Sequence, residues 1–155
     1  MQIALPITGV LGSFFNLAKI PASSRQGHIV VAAGFSFLLG LGLNQLILFV
    51  VHRVRPYDGG VTNLLIERSA DFSFPSDHAT AAFAIAAAFL LHASRRAGFA
   101  FLVAACLIAF SRIYIGTHYA SDVLGGALTG VVAALMVRAT YKEGTKPDRL
   151  ITSIL

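Results

Sequence analysis

The hydrophobic and polar positions of the chain form long apolar segments separated by short polar turns. Residues 29–51 carry no charge over 23 positions, which in a helix rising 1.5 Å per residue exceeds a hydrocarbon core of about 30 Å. Segments 77–94, 97–115 and 119–138 are similarly apolar, and their few charges lie near their ends. This pattern predicts an all-α integral membrane bundle with four clear transmembrane helices.

The parts that flank these segments are less regular. Segment 2–18 is apolar but contains Pro6 and two glycines, so it is a possible fifth membrane segment at the amino-terminal end. The tail 141–155 is polar. The connection 52–76 is the one long loop, and long loops in small proteins are usually functional or disordered. We therefore expect one membrane domain over residues 1–155, with its chemistry near 52–76.

Composition supports the membrane assignment. The chain is 56% hydrophobic and 12% charged, whereas a soluble domain has about 25% charged residues. The net charge of +5 does not indicate nucleic-acid binding, because the basic residues form no continuous stripe. Cys106, the single cysteine, lies in an apolar run and has no partner for an intrachain disulfide.

The basic residues predict an orientation in the membrane. Eight of the twelve lie on one side of the predicted spans: Lys19, Arg25, Arg95, Arg96, Arg138, Lys142, Lys146 and Arg149. The positive-inside rule makes that side cytoplasmic, together with the carboxyl-terminal tail. We therefore expect a multi-pass cell-membrane protein whose loop 52–76 and turn 112–119 face the periplasm or the cell exterior.

Polar residues that are costly inside a membrane, and so mark function by default, gather at the outward ends of the spans. They form three groups, which are Arg53-x-Arg55-Pro56, Pro75-Ser76-Asp77-His78, and Ser111-Arg112 with His118 and Asp122. Because successive spans are antiparallel, the topology brings all three groups to one face of the bundle.

The third group suggests a nucleophile. His118 and Asp122 are four residues apart and would share one face of a helix. A carboxylate that accepts the proton of one imidazole nitrogen leaves the other nitrogen as a free lone pair. This is the arrangement of a nucleophile and its orienting group, so we predict His118 as a covalent nucleophile oriented by Asp122.

The other groups suggest phosphate as the substrate. Ser76 is placed to cap a helix whose N-terminus would bind an anion, and His78 in the first turn could protonate a leaving oxygen. Arg55 and Arg112 supply guanidinium groups suited to phosphate. Together these residues predict a phosphoryl-transfer site, and the apolar surroundings predict a lipid substrate.

The same motifs, over residues 28–140, resemble the signatures of the type 2 phosphatidic acid phosphatase superfamily. The segment 73–80, Ser-Phe-Pro-Ser-Asp-His-Ala-Thr, is similar to that of its bacterial undecaprenyl pyrophosphate phosphatases. The resemblance implies hydrolysis of undecaprenyl pyrophosphate to undecaprenyl phosphate through a phosphohistidine, with no metal or cofactor. It also implies catalytic roles for His118, His78 and Asp122, and a phosphate contact for Ser111 beside Arg55, Arg112 and Ser76.

One position departs from the family pattern. Where the family has a lysine in Lys-x6-Arg-Pro, this chain has Leu48. Arg53 is the best candidate to replace that phosphate ligand, and His52 is a second candidate.

Several alternatives stay open. The substrate is alternatively phosphatidic acid, phosphatidylglycerol phosphate or another prenyl phosphate, or the same intermediate serves a phosphotransferase. Leu48 also leaves room for a non-catalytic scaffold that binds a lipid phosphate. A zinc site is disfavoured because no second cluster of ligands completes His118 and Asp122. A transporter is disfavoured because the polar residues lie at one face rather than at the midplane. The sequence predicts no oligomeric state.

Overall fold

The computed structural model describes residues 24–92 and 95–153, which fold into five α-helices without a strand. They are α1 Ser24–Leu48, α2 Asp77–Leu91, α3 Arg95–Tyr114, α4 Ala120–Thr140 and α5 Lys146–Thr152. The all-α prediction is therefore confirmed for the described part of the chain. The predicted segment 2–18 lies outside the described residues.

Three of the helices are long and apolar enough to cross a membrane. They cover Arg25–Leu48, Arg95–Tyr114 and Ala120–Thr140, and correspond to the predicted spans 29–51, 97–115 and 119–138. The fourth predicted span, 77–94, is not confirmed: α2 has 15 residues and is about 22 Å long. α2 packs against α1, α3 and α4 and is the central helix of the bundle. α2 is therefore surrounded mainly by the other helices and less by lipid.

Small residues lie inside the bundle and large apolar residues lie outside. The buried side of α2 is formed by four alanines and Thr80. By contrast, Leu38 of α1, Leu107 of α3 and Leu128 of α4 are 63%, 65% and 66% exposed. Large apolar side chains on the surface and few charges suit a protein whose solvent is lipid. This arrangement agrees with the membrane assignment from composition.

Two glycines of α4 allow it to approach α2 closely. A Cβ at Gly126 would lie 2.4 Å from the carbonyl oxygen of Ser76, and one at Gly130 would lie 2.4 Å from that of Thr80. The two glycines form a Gly-x-x-x-Gly motif, a spacing typical of closely packed membrane helices, and here it brings the two backbones into contact. Because α2 and α4 both begin at the same end of the bundle, this contact also fixes the residues at their starts.

The carboxyl-terminal segment is part of the fold and not only a polar tail. α5 packs against the start of α1. Its buried Asp148 carboxylate accepts hydrogen bonds from the Tyr141 hydroxyl at 2.6 Å and from the backbone N–H of Gly144 at 2.7 Å. His28 Nδ1 of α1 lies 2.8 Å from the same carboxylate. This role of Asp148 was not predicted from the sequence, because its partners are distant along the chain or belong to the backbone.

The close approach of α2 and α4 gives a stability prediction. Gly130→Ala should lower the midpoint of thermal unfolding in detergent, because the new methyl group would meet backbone atoms of α2; overpacking costs about 1–3 kcal/mol. Gly42→Ala in α1 is the matched control, since nothing lies within 4 Å of a Cβ added there and alanine favours helix. Circular dichroism melts of both variants check this. Equal effects of the two changes would contradict the packing role of Gly130.

Candidate active site

A pocket of about 250 Å³ opens at the end of the bundle where α1 ends and α2 begins. Residues of the loop 52–76, the start of α2, the end of α3 and the turn before α4 form its walls. Four of the predicted site residues line it: Arg55, His78, Arg112 and His118. The fold thus brings together residues that are up to 63 positions apart in the sequence.

A tight turn between α3 and α4 places His118 beside the end of α3. Gly116 has φ +80°, and a Cβ there would lie 2.6 Å from the carbonyl oxygen of Asn63. The backbone N–H groups of Thr117 and His118 both donate to the carbonyl of Arg112, at 3.2 and 3.3 Å. The sequence predicted this turn at Gly116 and Thr117, and the structure has it.

The orientation of the His118 ring comes from a backbone carbonyl. Nδ1 lies 2.8 Å from the carbonyl oxygen of Ser73, so an N–H at Nδ1 donates to it. Nε2 then carries the lone pair, 3.5 Å from Nη1 of Arg55. The four-residue spacing had predicted that Asp122 accepts the Nδ1 proton. Its Oδ2 is 3.8 Å from Nδ1, too far for a hydrogen bond, so this expectation is corrected.

Asp122 acts on His118 through Ser73. The carboxylate is fully buried and accepts a hydrogen bond from the Ser73 hydroxyl, the same residue whose carbonyl contacts the imidazole. It also accepts from the backbone N–H of Tyr119 at 2.9 Å, at the start of α4. Ser73 was not predicted as a site residue, because a backbone acceptor carries no signal in residue type.

Arg53 lies away from the pocket. Its Nη1 donates to Asp122 at 2.7 Å and to the Ser121 hydroxyl at 2.6 Å, and its guanidinium stacks over the Tyr119 ring at 4.1 Å. It is absent from the pocket walls, whereas Leu48 is among them. The geometry therefore does not support Arg53 as the replacement for a phosphate ligand at Leu48. Arg53 compensates the buried Asp122 charge instead.

Arg55 is held rigidly at the pocket wall. Its Nη2 donates to the Asp71 carboxylate at 2.8 Å, its Nε to the Asp71 carbonyl at 2.9 Å, and its Nη1 to the Thr117 carbonyl at 3.1 Å. With the 3.5 Å contact between Nη1 and Nε2 of His118, these contacts use four of the five guanidinium N–H groups, which leaves one donor for a ligand. Asp71 and Thr117 had not been predicted, because an irregular loop has no periodic pattern that would reveal its contacts.

Two buried hydrogen-bond donors at this end lack partners. Within the described residues, Nε of Arg112 and the hydroxyl of Ser76 make no hydrogen bond. Ser76 is the N-cap residue of α2, as predicted, but its side chain does not cap the helix. A buried polar group without a partner costs about 1–3 kcal/mol, so an anion that accepts from these groups would relieve that cost.

Two remaining predicted residues differ in placement. Ser111 is exposed on α3, donates to the carbonyl of Ile108 at 2.7 Å and does not line the pocket, so the structure does not bring it to the site. His78 lines the pocket from the first turn of α2. Arg68 of the loop, which the sequence did not single out, also lines the pocket and pairs with Asp58 at 2.9 Å.

Arginine side chains carry the positive charge of the pocket, namely Arg55, Arg68 and Arg112. Across residues 24–92 and 95–153, no three His, Cys, Asp or Glu side chains converge as metal ligands. Burial, and then the neighbouring Arg55 guanidinium, hold the pKa of His118 below its ordinary 6.5. Burial raises the pKa of Asp71, but hydrogen bonds from Ser69 and Arg55 outweigh it and leave that pKa below its usual value. The imidazole is therefore kept neutral and the carboxylate ionised.

Comparison with known proteins places this geometry in a family. A family model described as the PAP2 superfamily matches residues 29–146. The chain is 38% identical over 107 residues to undecaprenyl-diphosphatase BcrC of Bacillus subtilis, covering 69% of this chain and 55% of that protein. It is 28% identical over 152 residues to an undecaprenyl-diphosphatase of Sulfolobus acidocaldarius, covering 97% and 68%.

A solved structure has the same fold. The crystal structure of a transmembrane PAP2 type phosphatidylglycerolphosphate phosphatase from Bacillus subtilis superimposes with a TM-score of 0.52 at 24% identity, over 87% of this chain and 72% of that one. The chain thus spans about half the length of the Bacillus undecaprenyl-diphosphatase and most of the length of the solved phosphatase.

The different surroundings of the two arginines predict different effects on anion binding. Arg55→Gln should weaken the binding of inorganic phosphate about tenfold or more, since a charged hydrogen bond contributes about 1.5–3 kcal/mol. Arg53→Gln should leave phosphate affinity within about twofold, because that side chain does not line the pocket. Calorimetric titration of both purified variants measures this. A loss at Arg53 equal to that at Arg55 would restore Arg53 as a phosphate ligand.

Proposed function

The chain belongs to the PAP2 superfamily, and from this premise we propose that it hydrolyses undecaprenyl pyrophosphate to undecaprenyl phosphate through a phosphohistidine on His118. The observation that carries the proposal is the pairing of two groups in one pocket. The Nε2 lone pair of His118 faces the pocket with only a long contact, 3.5 Å from Nη1 of Arg55, and Arg112 has a buried Nε without a partner within the described residues. A nitrogen lone pair in the same pocket as a guanidinium group with an unpaired N–H is suited to attack on a phosphate.

The first step transfers the phosphoryl group to the enzyme. Nε2 of His118 attacks the terminal phosphorus in line, the N–P bond forms, and the bond to the bridging oxygen breaks. His78 donates a proton to the leaving oxygen. Arg55 and Arg112 stabilise the equatorial oxygens, and the unpartnered Ser76 hydroxyl donates to one of them.

The second step returns the enzyme to its starting state. His78, now neutral, accepts a proton from water, whose oxygen attacks phosphorus as the N–P bond breaks. Inorganic phosphate leaves and His118 regains its lone pair. Between the two steps the phosphorylated imidazole carries positive charge, with the Ser73 carbonyl 2.8 Å and the Asp122 carboxylate 3.8 Å from Nδ1. These two acceptors stabilise the intermediate.

A lipid substrate agrees with the surroundings of the pocket. An apolar groove of about 540 Å³ lies between α1 and α4, with Ile47 and Val50 among its walls. These residues flank Leu48, which lines the phosphate pocket. A prenyl chain in this groove would therefore run from the pocket along the bundle. The names of the relatives favour undecaprenyl pyrophosphate over phosphatidic acid, phosphatidylglycerol phosphate or another prenyl phosphate.

The charge pattern of the sequence supports an orientation. With the basic residues cytoplasmic, the pocket faces the periplasm or the cell exterior and the carboxyl terminus is cytoplasmic. On that side the enzyme would meet carrier lipid released by polymerising reactions.

A non-catalytic scaffold that binds a lipid phosphate is the second candidate function. Leu48 on the pocket wall favours it, since an apolar residue there contributes no charge to phosphate binding. The two candidates differ in turnover and not in binding.

The deciding experiment measures phosphate release from undecaprenyl pyrophosphate by the purified protein in detergent with EDTA present. Wild type should turn over, and His118→Ala should lose activity entirely because no nucleophile remains. His52→Ala is the matched control: this histidine is near the site but does not line the pocket, and it should retain activity. A denaturing quench at alkaline pH, where the N–P bond survives, with a terminally labelled substrate should trap labelled protein in wild type and in His52→Ala but not in His118→Ala.

Two results would contradict the proposal. If His118→Ala were as active as wild type, the proposed phosphohistidine intermediate would be excluded. Binding without turnover by wild type, on this substrate and on a panel of other lipid phosphates, would establish the scaffold instead.

The environment of His118 predicts the pH dependence. Because the pKa of His118 lies below 6.5, its imidazole is still mostly neutral at pH 6.5. The acid limb of kcat/KM should therefore lie below that pH. Asp122 raises the pKa of His118 by its charge, so Asp122→Asn should move the acid limb lower still while reducing the rate. Rate profiles between pH 4 and 8 (roughly the span over which His titrates) test both points. An acid limb above 6.5, or a shift upward in the variant, would contradict this assignment.

A further inference from the structure

A second pocket lies at the end of the bundle opposite to the active site. It has a volume of about 330 Å³ and is formed where α1 begins and where α2 and α4 end. We call it the distal basic pocket, and its polar lining residues are Arg25, His28, His92, Arg138, Tyr141, Lys142 and Glu143. The mechanism proposed above uses none of them.

The distal basic pocket has an excess of positive charge. Arg25, Arg138 and Lys142 line it against a single carboxylate, that of Glu143. Within the described residues none of the three cations forms an ion pair, whereas Arg53, Arg55 and Arg68 at the other end all do. Cations that gather around a cavity without protein partners repel one another, so the cavity favours an anion.

The floor of this pocket is fixed by a buried carboxylate. His28 is 2% exposed and its Nδ1 lies 2.8 Å from Asp148, which also accepts from the Tyr141 hydroxyl at 2.6 Å. The rings of His28 and Tyr141 stack with centroids 4.8 Å apart. Asp148 does not line the cavity, and even when its charge is counted beside that of Glu143 the three cations remain in excess. The pocket thus has a buried, hydrogen-bonded floor beneath an exposed charged rim.

His92 adds a directed group. Its Nδ1 lies 2.8 Å from the carbonyl of Ala88, so this nitrogen donates within its own helix and Nε2 is left for a ligand. Its ring centroid is 5.0 Å from that of His28. Burial, then His28 and Arg138, hold the pKa of His92 low, with opposing contributions from the Ala88 carbonyl and Glu143. An anion in the pocket would raise that pKa.

An apolar groove accompanies the pocket. It has about 330 Å³ of space between α1 and α2 and includes Val30 and Phe89 among its walls. Phe89 precedes His92 by three residues and shares its face of α2, so the groove and the pocket lie within about one helical turn of each other along that helix. A free phosphate ion has no apolar part that could fill this groove, whereas a phospholipid has an acyl chain.

We propose that the distal basic pocket binds the phosphodiester headgroup of an anionic phospholipid in the leaflet opposite to the active site, with one acyl chain in the groove at Val30 and Phe89. Basic pockets between helices at a membrane surface suit such headgroups, and each Lys or Arg contributes about 1 kcal/mol near an anionic surface. Bound lipid would bridge α1, α2 and α4. This site is independent of the phosphatase proposal, since it shares no residue with the active-site pocket.

The test uses the full chain in detergent with phosphatidylglycerol and, as the uncharged comparison, phosphatidylcholine. Native mass spectrometry should show wild type retaining phosphatidylglycerol over phosphatidylcholine. The double variant Arg138→Gln with Lys142→Gln should bind phosphatidylglycerol about 30-fold more weakly. The matched control is Arg95→Gln with Arg96→Gln, which removes the same charge at the start of α3, outside the pocket, and should bind as wild type does.

Additional controls distinguish the proposed site from other sources of phosphatidylglycerol binding. Arg112→Gln should not change phosphatidylglycerol binding, because that arginine belongs to the active-site pocket. Millimolar inorganic phosphate should not displace the lipid. Complete displacement would make this a site for free phosphate, and an equal loss in the Arg95 and Arg96 variant would make the attraction a general surface charge. Either result, or wild-type binding by the Arg138 and Lys142 variant, would overturn the proposal.

Discussion

The active-site end of the bundle depends on one buried carboxylate. Asp122 is fully removed from solvent, and a charge in that position is tolerated only when donors surround it. Its donors are Arg53 and the Ser73 hydroxyl, near the two ends of the long loop, and the backbone N–H of Tyr119 at the start of α4. Its own carbonyl accepts from the backbone N–H of Ser76, just before α2. Satisfying this single group therefore fixes the loop and the starts of two helices.

This constraint divides the arginines into two classes. Arg53 compensates the buried charge, and Arg55 is anchored by Asp71 and the Thr117 carbonyl. Arg112, by contrast, forms no ion pair within the described residues and has a buried Nε without an acceptor. Pairing an arginine with a carboxylate orders it but cancels part of its field, while an unpaired arginine keeps its field for a ligand. A site that contains both kinds is ordered before substrate arrives and still attracts an anion.

The sequence predicted the features that follow from the order of apolar and polar residues along the chain. The length of its apolar segments predicted the three spans, and the polar break between two of them predicted the turn over residues 112–119. It could not predict which side chains meet across helices. Arg53 and Arg55 are two residues apart, yet one faces Asp122 and the other the pocket, and only the folded path of the loop decides this. The Ser73 carbonyl was missed because backbone acceptors are the same in every residue.

The two ends of the bundle share one arrangement, a buried aspartate whose oxygens accept hydrogen bonds from several parts of the chain. At each end a buried aspartate, Asp122 or Asp148, accepts from two side chains and one backbone N–H. Each aspartate thereby fixes a local frame in which its carboxylate oxygens are satisfied by donors. Beside each frame lies a cavity where arginine side chains have no carboxylate partner within the described residues, Arg112 at one end and Arg138 at the other. A phosphate that binds Arg112 or Arg138 displaces no ion pair of these two side chains, so the attraction of both cations is available to it.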